Sequence, residues 1–204
     1  MNPPAVPDHL GDAPQSVSAW NLPNALTGVR LALVPVFAWL LWRSNAGYSG
    51  ADVAAAVVFA VASLTDFVDG DLARRRGQVT NFGKVADPIA DKALTGTAFV
   101  GLSLMGDLAW WVTVVVLARE IGVTLLRFWV IRHGVIPASR GGKVKTALQI
   151  VAILMYLLPL SGAWLTVRDG VMALAVVVTV VTGLDYVVRA FALRAATSAA
   201  GRPA

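Results

Sequence analysis

The chain has 204 residues, 57% of them hydrophobic and 14% charged, with a mean hydropathy of +0.68; soluble domains carry about 25% charged residues, so this is the composition of a membrane protein. It has no cysteine and two histidines, His9 and His133, which excludes disulfides, a thiol nucleophile and thiolate or histidine-rich metal sites. A formal charge of +5 and a pI near 10.1 do not imply nucleic acid, because the basic residues alternate with long apolar runs instead of covering a soluble face.

Residues 1–20 contain Pro3, Pro4, Pro7, Pro14 and Gly11 with no lysine or arginine. They lack the charged and apolar regions of a signal peptide and read as a flexible tail. Apolar runs follow at about 25–42, 51–68, 88–105, 108–127, 146–167 and 170–188. Each far exceeds strand length, and the alternation of a spanning barrel is absent, which predicts an all-α integral membrane protein with six transmembrane helices. Neither an internal repeat nor a low-complexity linker divides the chain, so one domain is expected over 21–194, with a short tail over 195–204. Lysine and arginine set the orientation. With the N-terminus cytoplasmic, the inner side holds Arg74, Arg75, Arg76, Lys84, Arg132, Arg140, Lys143, Lys145, Arg194 and Arg202, against Arg43 and Arg168 in outer loops. Both termini are therefore expected in the cytoplasm.

An ionisable group near the bilayer centre costs at least ~2.5 kcal/mol and marks a functional cavity more often than not. Arg30 falls near the start of the first run, Asp66 and Asp69 near the end of the second, and Asp91 and Lys92 near the start of the third. Arg119, Glu120 and Arg127 fall late in the fourth, and Asp185 and Arg189 late in the sixth. With alternating helix direction all lie on the cytoplasmic side, which predicts a polar cavity open to the cytoplasm and closed below by the apolar outer halves. The tryptophans, mostly near helix ends, read as an interfacial belt.

The segment from Thr65 to Lys92 reads TDFVDGDLARRRGQVTNFGKVADPIADK. Asp66 and Asp69 are three apart and Asp87 and Asp91 four apart, so each pair projects from one helix face. Four facing carboxylates need cations, and oxygen-only ligation favours hard divalent ions such as Mg²⁺, Mn²⁺ or Ca²⁺. Two such ions could clamp a diphosphate, which points to phosphoryl transfer. Gly70, Gly83 and the small Ala73 let a nucleotide approach the backbone, and Arg74 is placed to bridge a phosphate.

The run Asp66-x-x-Asp69-Gly70-x-x-Ala73-Arg74, eight residues, then Gly83-x-x-x-Asp87-x-x-x-Asp91 resembles the signature of the CDP-alcohol phosphotransferases, with every fixed position filled. The resemblance implies six transmembrane helices in a homodimer, and transfer of a substituted phosphoryl group from a CDP-linked donor to an alcohol with release of CMP. It implies that Asp66, Asp69, Asp87 and Asp91 hold two divalent ions, Mg²⁺ or Mn²⁺, with Asp91 also the general base on the acceptor hydroxyl. Gly70, Arg74 and Thr80, and more weakly Asn24 and Thr27, then look like CDP-binding positions.

The signature leaves the acceptor open among glycerol 3-phosphate, inositol phosphate, serine, choline and phosphatidylglycerol, so that a same-fold enzyme making cardiolipin or phosphatidylinositol phosphate is the alternative within the family. Arg119, Arg127, Lys143 and Lys145 fall together at the inner ends of the fourth and fifth helices, a cation cluster that suits an acceptor with its own phosphate; the competing reading of both lysines is the positive-inside rule alone. The stretches Asn21-Leu22-Pro23-Asn24-Ala25-Leu26-Thr27-x-x-Arg30, Ala118-Arg119-Glu120 through Leu126-Arg127, and Gly142-Lys143-x-Lys145-Thr146 resemble the bacterial branch of that family that forms phosphatidylglycerophosphate. That implies CDP-diacylglycerol as donor and sn-glycerol 3-phosphate as acceptor, the four cations gripping the acceptor phosphate and Glu120 orienting an arginine. Tyr186 and Arg189 are expected, more weakly, to close the site from the sixth helix. Two further classes compete: a cation or proton transporter, which predicts acidic groups across the whole membrane, and a lipid-binding protein, which leaves the carboxylates unexplained.

Overall fold

The structure is a computed structural model that describes residues 22–47, 50–76, 81–130 and 140–200; along 22–23, 66–76, 81–85, 127–128, 130, 140–141 and 195–200 the description extends to the backbone alone. The expected tail, residues 1–20, lies outside the described residues, as do His133 and Thr80. Six α-helices make up the described chain: α1 (Leu22–Asn45), α2 (Ala51–Arg76), α3 (Asn81–Leu104), α4 (Trp110–Val130), α5 (Arg140–Leu157) and α6 (Ala163–Ala200). Alanine, leucine and valine dominate them, and Asp52 in the first turn of α2 complements the helix dipole. Among the described residues, two helices are long and apolar enough to cross a membrane, over Asn24–Asn45 and Ala163–Arg194.

One boundary differs from expectation. The fifth apolar run was predicted to continue to residue 167, leaving Arg168 in an outer loop, but α5 stops at Leu157 and α6 starts at Ala163. Apolar residues continue through the break, so hydropathy misses it. Pro159 removes a backbone donor there, and Gly162 takes a φ of +61°, a left-handed conformation that costs a residue with a side chain about 1–2 kcal/mol. Arg168 and Asp169 consequently sit in the second turn of α6.

Long-range contacts set the helix directions. Short connections at 46–50, 105–109 and 158–162 favour antiparallel neighbours. Phe37 late in α1 meets Phe59 early in α2, ring centroids 5.5 Å apart, while Arg30 early in α1 donates from Nε to the Ala62 carbonyl late in α2 at 3.2 Å. Thr27 of α1 reaches Asp87 of α3, both early in their helices, so α1 and α3 run parallel. The result is an up-and-down bundle in which α1 packs on α2 and α3, and α6 on α4 and α5.

This arrangement sorts the interior by chemistry. Phe37, Phe59, Phe99, Leu102, Val112, Val116, Ile153 and Met172 form a continuous apolar core, and all lie at the end where α1, α3 and α5 finish and α2, α4 and α6 begin. The buried polar side chains Asn24, Thr27, Arg30, Lys145 and Gln149 lie toward the other end, while Ser103 and Thr113, bonded to each other at 2.7 Å, form a polar pair within the apolar end. The outside is apolar too. Val177, Val181, Leu184 and Val188 recur at helical spacing along α6, each more than half exposed, a stripe far more extensive than single scattered apolar residues on a soluble surface.

Candidate functional site

At the polar end, α1 presents Asn24, Thr27 and Arg30 at three-residue intervals, and all three are buried. The Thr27 hydroxyl donates to the Asp87 carboxylate of α3. Arg30 is fully buried, which is costly for a charge unless its donors are satisfied; its bond to the Ala62 carbonyl joins α1 to α2 one turn before Asp66. Asp87 and Asp91 are both half-buried and one helical turn apart, which keeps two carboxylates on one face of α3. An oxygen-only pair so placed fits a hard divalent cation. No group of three or more metal-ligating side chains forms among the described residues; Asp66 and Asp69, the other two expected ligands, lie on α2 with Gly70, Ala73 and Arg74, and Gly83 lies on α3, where the side chains are outside the described set.

Next to Asp91, the Lys92 ammonium crosses to α4 and donates to the Thr124 hydroxyl, which donates to the Glu120 carbonyl at 2.8 Å. Sequence reasoning gave Lys92 no role beyond its charge. Its bond to Thr124 ties the carboxylate helix to the second half of the site, where Arg119 and Glu120 of α4 face α5 and α6. Lys145 Nζ donates to Glu120 Oε1 at 2.5 Å, and Arg119 Nη1 donates to the same oxygen at 3.0 Å. One turn beyond Lys145, Gln149 Nε2 donates to Thr179 Oγ1 at 2.9 Å. Two cations share one carboxylate, with Arg119 and Glu120 partly buried and Lys145 only 7% exposed.

The other expected cations fare differently. Lys143 lies on α5 but is exposed, and Arg127 lies on α4 with its side chain outside the described set. Arg189 pairs with Asp185 one turn back at 2.9 Å, both well exposed, so it is a surface helix pair and not a lid over the site. A groove of about 630 Å³ runs between α1 and α3, lined mostly by apolar side chains including Leu41, Trp42, Val100 and Leu104, with Lys92, the neighbour of Asp91, also in its wall.

The profile of the CDP-alcohol phosphatidyltransferases matches residues 20–181. The chain belongs to this family. It is 55% identical over 170 residues to a probable phosphatidylglycerophosphate synthase of Mycobacterium tuberculosis, covering 83% of this chain and 81% of that one. It is 38% identical over 180 residues to a CDP-diacylglycerol–glycerol-3-phosphate 3-phosphatidyltransferase of Bacillus subtilis, covering 82% and 93%, and 37% identical over 171 residues to the enzyme of that name from Rickettsia typhi, covering 81% and 94%.

The polar end has two halves, carboxylates on α2 and α3 and cations on α4 and α5. Sequence reasoning missed Gln149, Thr179 and Thr182 because they are uncharged and sit inside apolar runs. Two signals were present. Gln149 follows Lys145 by one turn, on the same face of α5, and polar residues recur at Thr179 and Thr182 in the valine-rich run of α6.

Proposed function

We propose that the chain transfers the phosphatidyl group of CDP-diacylglycerol to sn-glycerol 3-phosphate, giving phosphatidylglycerophosphate and CMP. The family match and the names of relatives that align over most of their length support the reaction. The observation that carries the acceptor is the cation pair of partly buried Arg119 and buried Lys145 on a single carboxylate, a site suited to an anion that a non-phosphorylated alcohol would not need.

In this reading Asp66, Asp69, Asp87 and Asp91 hold two divalent ions, Mg²⁺ or Mn²⁺, whose charge when bound neutralises the diphosphate of the donor. Asn24, Thr27, Gly70, Ala73, Arg74, Thr80 and Gly83 contact the CDP moiety. Arg119 and Lys145, with Arg127 and Lys143 at the mouth, grip the acceptor phosphate and so aim its free hydroxyl at the phosphorus that bears diacylglycerol. The hydroxyl proton passes to the Asp91 carboxylate as the new P–O bond forms and the bond to the CMP oxygen breaks. Thr27, by donating to Asp87, orients one carboxylate of the set.

The same reading places residues 21–194 across the bacterial cytoplasmic membrane as six spans, paired in a homodimer, with both termini and the polar end toward the cytoplasm. Arg140, Lys143 and Arg194 at the polar end, against Arg43 and Arg168 at the other, support that orientation, and the exposed apolar stripes support immersion in lipid. The test is CMP release by purified protein in detergent with CDP-diacylglycerol and Mg²⁺. Release is expected to require glycerol 3-phosphate. Release with inositol phosphate or phosphatidylglycerol instead would replace the acceptor, and no release with any acceptor would favour a transport or lipid-binding role.

A further inference from the structure

Thr179, Thr182 and Gly183 fall at three- and four-residue spacing on α6 and share one face, and Arg119 of α4 lies against that face. Arg119 Nε donates to the Thr179 carbonyl at 3.1 Å, and Nη2 donates to Thr182 Oγ1 at 3.0 Å. The Thr182 hydroxyl spends its own proton on the Val178 carbonyl at 2.7 Å, which leaves its lone pairs to the guanidinium. A Cβ on Gly183 would stand 2.9 Å from Arg119 Cγ and 3.1 Å from Nε, so the arginine stem runs through the space any side chain there would fill. Thr179 is fully buried and anchored to α5 through Gln149.

With Nη1 on Glu120, the protein engages each nitrogen of Arg119 once. A guanidinium has five N–H donors, so two remain among the described residues, one on each terminal nitrogen. We infer that this notch of α6 is a positioning element for the acceptor: it fixes the plane of the Arg119 guanidinium and thereby aims those two donors at the acceptor phosphate. The inference rests on the reading of Arg119 and Lys145 as the phosphate site. A planar fork gains its advantage over a point charge only when its plane is held, and α6 supplies that hold without touching the substrate. Thr182 and Gly183 are positioning residues in this sense.

The test uses the full chain in detergent, with CMP release followed at varied glycerol 3-phosphate. Thr182→Val removes the accepting oxygen with little change of shape, and Gly183→Ala displaces the arginine stem. Each is expected to raise the KM for glycerol 3-phosphate roughly tenfold while kcat and the KM for CDP-diacylglycerol stay within about twofold, as for loss of one hydrogen bond to a charged group. Thr182→Ser is expected to restore the parent KM. An unchanged acceptor KM in Thr182→Val, or a fall in kcat and melting temperature with the KM intact, would reduce the notch to a bolt between α4 and α6 and overturn the inference. If Gly183→Ala does not fold, the Thr182→Val and Thr182→Ser pair decides. Arg119→Gln separates the two levels: no effect on acceptor KM sinks the phosphate-site reading itself, whereas a raised KM there with silent notch variants sinks the notch alone.

Discussion

Two charged clusters tie α5 to α6, and they differ in what surrounds them. Near the tight turn, the Tyr156 hydroxyl donates to Asp169 Oδ1 at 2.8 Å, Arg168 Nε donates to the same oxygen at 3.1 Å, and the Arg168 guanidinium lies 4.1 Å over the Tyr156 ring. Asp169 is 59% exposed, so its charge stays hydrated and the cluster costs little and yields little. Toward the polar end, Lys145, Glu120, Arg119, Gln149 and Thr179 make a comparable set of bonds with far less water around them: Lys145, Gln149 and Thr179 are buried and Arg119 and Glu120 mostly so. Desolvation there costs several kcal/mol per ion, and apolar side chains of similar volume would hold the helices at least as well. The first cluster is explained by the turn it clasps. The second gains the bundle little, and in the proposed reading a ligand that uses its charge is the reason to keep it.

The strongest way to sharpen that contrast is to remove chemistry at the polar end without disturbing the fold. Asp91→Asn keeps the shape of a half-buried side chain and deletes the proposed base. CMP release is expected to fall by about 10²–10⁴-fold, the usual contribution of a general base, with the melting temperature in detergent close to the parent's. Activity near the parent level would take the reaction away from this carboxylate.

Burial makes the next prediction. Lys145 and Lys143 are two residues apart on α5, but one is buried against Glu120 and the other exposed. Lys145→Gln is expected to raise the KM for glycerol 3-phosphate roughly ten- to hundredfold, as a lost bond to a charged group does in a dry site. Lys143→Gln should change it less than about threefold, and less again at high salt, because solvent screens an exposed charge. Equal effects from both lysines would mean that burial is not what distinguishes the site.

The legibility of the molecule in its sequence follows the same division. Long apolar runs located the helices, since runs of that length far exceed strand length, and the four-residue spacing of Asp87 and Asp91 put both on one face of α3. What failed was where hydropathy is silent. Leu157, Leu158 and Leu160 carry the apolar signal through the turn at 158–162, so the break rested on Pro159 and Gly162, which the expectation passed over in favour of the charges at Arg168 and Asp169. The threonine hydroxyls that organise Arg119 are likewise nearly neutral in hydropathy, Gln149 is a single uncharged residue in an apolar run, and their partners come from helices distant in sequence. Only the packed bundle brings Thr182 to Arg119. Arg30 was visible as a charge, but its depth in the bundle was not.

The smallest expected effects belong to the turn cluster. Gly162→Ala places a side chain at φ +61° with no neighbouring atom within 4 Å of the new Cβ, so the cost is backbone strain alone, about 1 kcal/mol. Tyr156→Phe deletes one hydrogen bond to a solvated carboxylate and should cost about 0.5 kcal/mol or less. Thermal melting in detergent measures both, and the KM values for donor and acceptor should not move in either. The turn lies at the apolar-core end, separated from Asp91 by the layer of Phe99, Leu102 and Ile153. A changed acceptor KM in Tyr156→Phe would mean that the core transmits what happens at the turn, so that α6 shifts as one rod and carries the disturbance to Thr179 and Thr182. The exposed cluster would then set the register of the buried one, and the two could no longer be treated as independent.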